Sequence, residues 1–164
     1  MFSSLAKNHE LFDLIICNPP SLPMPAPAVG GAAPASSFYY AGPNGRDFIE
    51  ALLREAKSHL TLKGRVWLVH TSLANLAKTI RESTRDGIHH LGILAQAEIP
   101  IRDFYDMKWI RGRIVESGDE TGLFNGLYRE DQGGLLYETL YLLECRYGGA
   151  ESARSLDLEH GRPL

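Results

Sequence analysis

The stretch that most constrains this chain is Phe12-Asp13-Leu14-Ile15-Ile16-Cys17, which runs directly into Asn18-Pro19-Pro20. A continuous β-branched and aliphatic run, in contrast to an alternating one, reads as a strand covered on both faces. The two prolines have no N–H to give a ladder, so the strand stops where they begin. Whatever this chain folds into must accept a buried strand that ends abruptly and releases a stiff loop.

That loop is long. Seven of the nine prolines fall between Pro19 and Pro43, together with Gly30, Gly31 and the aromatic cluster Phe38-Tyr39-Tyr40. Loops of this length inside compact domains are usually functional lids or linkers. The aromatics serve either as substrate contacts or as anchors on the core. A helix is expected from about Asn44, with Asn44 as N-cap, Asp47 at the third helical position and Gly64 as the stop. Its apolar stripe is Phe48, Ile49, Leu52, Leu53, Ala56 and Leu60, and Arg46, Glu50, Arg54, Glu55 and Lys57 form its polar side. A strand follows at 65–70. A second helix is expected at about 72–85, with Leu73, Leu76, Ala77 and Ile80 inward and Gly87 at its end. Strands are expected at 91–98 and 135–146, residues 102–134 read as irregular, and the tail from about 148 reads as polar and frayed. Alternating strands and helices of this kind predict an α/β sheet with right-handed crossovers. If the 12–17 strand lies beside the 65–70 strand, its other edge has no partner in the chain, and an uncovered apolar edge invites aggregation.

Composition narrows the setting. The chain is 164 residues long, 44% hydrophobic and 23% charged, as befits a globular domain and not a disordered polymer. A net charge of −3 disfavours a broadly basic nucleic-acid face. Cys17 and Cys145 sit far apart in apolar runs, with neither zinc nor redox spacing. No apolar run approaches the roughly 20 residues a membrane helix needs. No charged-then-apolar leader is visible at the N-terminus, and a cytoplasmic location is expected.

The chemistry concentrates at the end of the first strand, where ligands sit in open α/β sheets. The side-chain oxygen of Asn18 and the carbonyl of Pro19, held rigid by the ring and by Pro20, make two fixed acceptors. They match the two N–H groups of a planar amide or aryl amine, and holding both hydrogens aims the nitrogen lone pair at an electrophile. Other signals are weaker. His89-His90 would point to opposite faces of a strand, so no metal site is expected. His70, at a strand end, reads as a hydrogen-bonded structural histidine. Arg102, Lys108, Arg111 and Arg113 with Tyr105 and Trp109 read as a solvated loop with two buried aromatics, the alternative being an RNA-binding patch. No nucleophile elbow and no phosphate-binding loop occurs.

The 12–20 segment resembles the fourth strand and Asn-Pro-Pro-Tyr loop of S-adenosylmethionine-dependent N-methyltransferases. Ala41-Gly42-Pro43-Asn44-Gly45-Arg46-Asp47-Phe48-Ile49 is similar to that family's glycine-rich approach to the next helix. Leu60-Thr61-Leu62-Lys63-Gly64-Arg65-Val66-Trp67-Leu68-Val69 is similar to the turn into its fifth strand. HemK-like protein glutamine methyltransferases and small-domain RNA guanine methyltransferases are the members most alike. The resemblance covers about residues 8–75, and the rest only by element order. It implies the C-terminal part of a Rossmann-like methyltransferase sheet, mostly parallel with an antiparallel last strand, within a partial domain at 1–147 and a tail at 148–164. It also implies S-adenosylmethionine as cofactor, a protein glutamine or nucleobase nitrogen as acceptor, a catalytic loop of Asn18, Pro19, Pro20 and Ser21, and substrate contacts from Tyr39 and Tyr40.

Two departures stand out. Ser21 occupies the position where the family places an aromatic ring that stacks on the target. The glycine-rich cofactor turn is missing upstream of Phe12, and Gly30-Gly31, which follows no strand, is no substitute. The sequence therefore carries the expectation that an N-terminal half or a partner chain completes the domain. The alternatives are a non-catalytic or partner-dependent fragment and an RNA-binding module.

Overall fold

The structure, a computed structural model, describes residues 11–23, 40–101 and 128–148. Strand β1 spans Phe12–Cys17, as the apolar run predicts, and ends at Asn18. It pairs in parallel with β2, Leu60–Thr71, through Ile15 opposite Val66 and Cys17 opposite Leu68. Its two-sided cover is corrected at its end: Ile16 is 68% exposed, while Ile15 and Cys17 on the other face pack against the core and Phe12 and Leu14 are half-buried.

Helix α1 spans Asp47–Glu55. Its acidic first turn (Asp47, Glu50) and basic last turn (Arg54) complement the helix dipole. The expected Asn44 cap is not used. A tight turn closed by Gly45 N–H donating to the Gly42 carbonyl (3.1 Å) delays the helix, and Arg46 becomes the residue before it. Nor does Gly64 end the helix. The chain passes through a 3₁₀ turn at Ala56–His59, and β2 has already begun at Leu60. Gly64 lies where the β1–β2 register jumps, and a Cβ there would sit 2.7 Å from the Phe12 carbonyl oxygen, too close for any other residue. The extra β2 residues bulge outward, leaving Leu62 fully exposed.

The second helix is also divided. A 3₁₀ turn at Ser72–Ala74 leads to Asn75 in the left-handed region (φ 57°). Asn75 accepts from Lys78 N–H through its side chain (2.8 Å), and α2 runs Leu76–Ser83. Its buried face is Leu76, Thr79 and Ser83, not the purely apolar set expected. Strand β3, Ile88–Pro100, is longer than predicted, and a short β4, Tyr128–Glu130, falls in the stretch read as irregular. Strand β5, Leu136–Tyr147, follows.

The path of the sheet is β1-β2-β5-β3, with β4 on β5 off that path. The last strand is antiparallel, as expected, but it inserts between β2 and β3. Strands β1, β2 and β3 therefore run one way and β5 the other. The ladders are mostly antiparallel, correcting the mostly parallel expectation. Alternation along β2 and β5 sends Val66, Leu68 and His70 with Tyr141, Leu143 and Cys145 to one face, where they join Ile49, Leu52, Leu53 and Leu76 of the helices in the core. Tyr147 ties this layer together by donating its hydroxyl to the Leu53 carbonyl (2.8 Å).

Candidate functional site

The topology brings the C-terminal ends of β1, β2 and β3 and the N-terminal end of β5 to one edge of the sheet. There Asn18, Pro19, Pro20, Ser21 and Leu22 form one wall of a cleft of about 460 Å³. Val69 and Thr71 of β2, Glu138 and Leu140 of β5, and Ile99 of β3 form the rest. Thr71 opposes Leu140 and Ile99 opposes Glu138 in the ladders, so these side chains share the sheet face opposite the helices. All four residues of the predicted catalytic loop are thus gathered in one cleft. Tyr40 is placed differently: its backbone bridges Leu22, and it is absent from the lining. Tyr39, Phe38, the basic patch at 102–113 and the tail from 149 lie outside the described residues.

Glu138 is the residue the sequence reading missed. It is only 3% exposed and is the sole ionisable side chain among the described lining residues. Thr71 Oγ1 donates to its Oε2, while the same Thr71 oxygen accepts from Leu73 N–H (3.1 Å). The hydroxyl proton is therefore committed to Glu138. Burial pushes the Glu138 carboxyl above its usual range, and the Thr71 hydrogen bond only partly opposes this. A signal existed: in the strand at 135–146, Glu138 falls in step with Leu136, Leu140 and Leu142, on a face that a solvent-exposed acid would avoid.

The loop is held from beneath. A Cβ at Gly45 (φ 67°) would strike the Ser21 carbonyl oxygen and lie 2.9 Å from Pro23 N, so this close approach requires glycine. The next residue, Arg46, was expected on the polar side of the helix. It is 2% exposed. Its Nη1 donates to the carbonyls of Ala74 (2.6 Å) and Asn75 (3.0 Å) and to Thr79 Oγ1 (2.9 Å), and its Nε pairs with Glu50 (2.8 Å). Thr79 sits 2.8 Å from His70 Nε2, and His70 Nδ1 lies 2.8 Å from the Thr71 carbonyl. A carbonyl only accepts, so Nδ1 carries the proton and Nε2 accepts from Thr79. Burial lowers the His70 pKa to about 4, the Thr71 carbonyl opposes that, and Arg46 reinforces it. His70 is a neutral structural residue one position before Thr71, matching its sequence reading.

Among the described residues no group of His, Cys, Asp or Glu is arranged to hold a metal ion, and no helix is long and apolar enough to cross a membrane. The lining residues carry acceptors, namely the Asn18 amide oxygen, backbone carbonyls and the Glu138 carboxyl, beside the donors of the Asn18 amide nitrogen and the Ser21 hydroxyl. The cleft suits a ligand rich in N–H donors. Among the described lining residues there is no cation and no glycine to meet the methionine carboxylate of S-adenosylmethionine, the cofactor the resemblance implies. No protein-family profile matches the chain, and no curated protein matches it significantly.

Proposed function

We propose that this cleft orients a planar nitrogen for N-methylation, with Asn18 and the Pro19 carbonyl accepting its hydrogens. The observation that carries the reading is the convergence of Asn18, Pro19, Pro20 and Ser21 in one cleft at the carboxyl end of β1, beside β2 in parallel. The antiparallel last strand supports it, being the arrangement the resemblance implies. Pro20 stiffens the loop, and Gly45 seats it from below. Ser21 leaves room where an aromatic ring would stack, which suits an acceptor held by hydrogen bonds more than by stacking. S-adenosylmethionine is the methyl source implied by the resemblance.

The test is methyl incorporation from S-adenosylmethionine into a glutamine-containing peptide and into RNA, using the full chain and its Asn18→Ala variant. Loss of orientation is expected to lower turnover by about a hundredfold. Equal turnover by both proteins removes Asn18 from the role. A second reading follows from the outer edge of β1, which bears no strand among the described residues: the chain acts only when another strand completes the sheet there. A native chain that shows no incorporation alone, and gains it with a partner, supports this second reading.

A further inference from the structure

Two buried carboxylates share one face of β5, three pleats apart, and their surroundings differ. Glu144, 5% exposed, accepts from Arg146 Nε (2.7 Å) and from Trp67 Nε1 (3.1 Å), with Arg65 Nη1 at 3.5 Å. Burial pushes its carboxyl up, and these donors more than reverse the effect. Glu138 is as deeply buried, yet it has one hydroxyl donor and, among the described residues, no cation. A buried carboxylate without a cation is costly. Here it faces a cleft that an outside group can enter.

We propose that Glu138, held by Thr71, is the anchor for a guanidinium group entering this cleft, so that the ligand is a peptide presenting an arginine side chain. A carboxamide NH₂ has two hydrogens, and Asn18 with the Pro19 carbonyl uses both. The cleft supplies a third acceptor, and that one is acidic. A guanidinium is planar, cationic and carries five N–H donors in a fork that meets a carboxylate through two parallel bonds. It satisfies Glu138 and still offers a nitrogen to Asn18. Among the described residues the lining has no cation to hold a phosphate, which favours a peptide over a nucleic acid. The inference rests on the reading of this cleft as the acceptor site, and it concerns binding alone.

The experiment is a calorimetric titration of the full chain at neutral pH, without methyl donor, with N-acetylarginine methylamide. Its neutral isostere N-acetylcitrulline methylamide and guanosine monophosphate serve as comparisons. The arginine probe is expected to bind about tenfold more tightly than the citrulline probe. Glu138→Gln should erase that preference, and Thr71→Val should reduce it. Equal binding of the two probes by the native chain, tighter binding of the nucleotide, or no binding of the arginine probe overturns the proposal, whether or not the variants fold. Arginine preference without any methyl incorporation leaves this inference standing and removes the methyl-transfer reading. Incorporation into glutamine with no arginine preference does the reverse.

Discussion

At the scale of single residues, His70 and Glu138 show how burial sets a side chain's task. Each is almost fully enclosed, but His70 has both ring nitrogens satisfied, whereas Glu138 has one donor and an open cleft. The His70 pKa falls from 6.5 to about 4 on folding. The unfolded chain therefore binds the extra proton between those values. Its contribution to stability is full above pH 6.5 and is lost as pH falls toward 4. The loss amounts to about 3 kcal/mol. Denaturant titrations across this window are expected to show a steeper decline for the native chain than for His70→Gln. The raised Glu138 carboxyl acts in the opposite direction, and it cancels in that difference. Parallel pH profiles of the two proteins would mean that His70 is not held neutral.

At the scale of elements, legibility tracked the range of the forces involved. Strand β1 and its stop were readable because apolar continuity and two prolines act locally. The late start of α1 was not, because Gly42 and Gly45 answer to contacts with Asp47, Ser21 and Pro23 instead of to helix propensity. Arg46 looked like a surface residue for the same reason: its partners Ala74, Asn75 and Thr79 lie 28 to 33 positions away. Gly64 looked like a helix stop, and only the neighbouring Phe12 carbonyl reveals its role in the β1–β2 irregularity. Arg46 links the turn under the Asn18–Ser21 loop to the start of α2. Arg46→Met leaves two buried carbonyls and Glu50 short of a donor, and it is expected to cost about 3 kcal/mol by chemical denaturation. A loss within the scatter of surface substitutions would show that the link carries no weight.

At the scale of the molecule, the mixed sheet does one thing that matters most for function. Inserting β5 antiparallel between β2 and β3 places its N-terminal residues, Glu138 among them, next to the C-terminal ends of the other strands. That the loop after β1 leaves the strand at Asn18-Pro19-Pro20 was legible from the sequence alone, and the structure sets that loop on a cleft. The acid across the cleft was not legible, since Thr71 and Glu138 stand 67 positions apart and meet only through this insertion. The central claim is that this edge of the sheet, and not its Arg65–Glu144–Arg146 face, binds a planar N–H donor. Its most direct test is a backbone amide chemical-shift map of the full chain during addition of N-acetylarginine methylamide and, separately, N-acetylglutamine methylamide. The account predicts that at least one probe produces saturable shifts concentrated at residues 18, 21–22, 69–71 and 138–140. Shifts centred on Arg65, Trp67 and Glu144, or none with either probe, would contradict it.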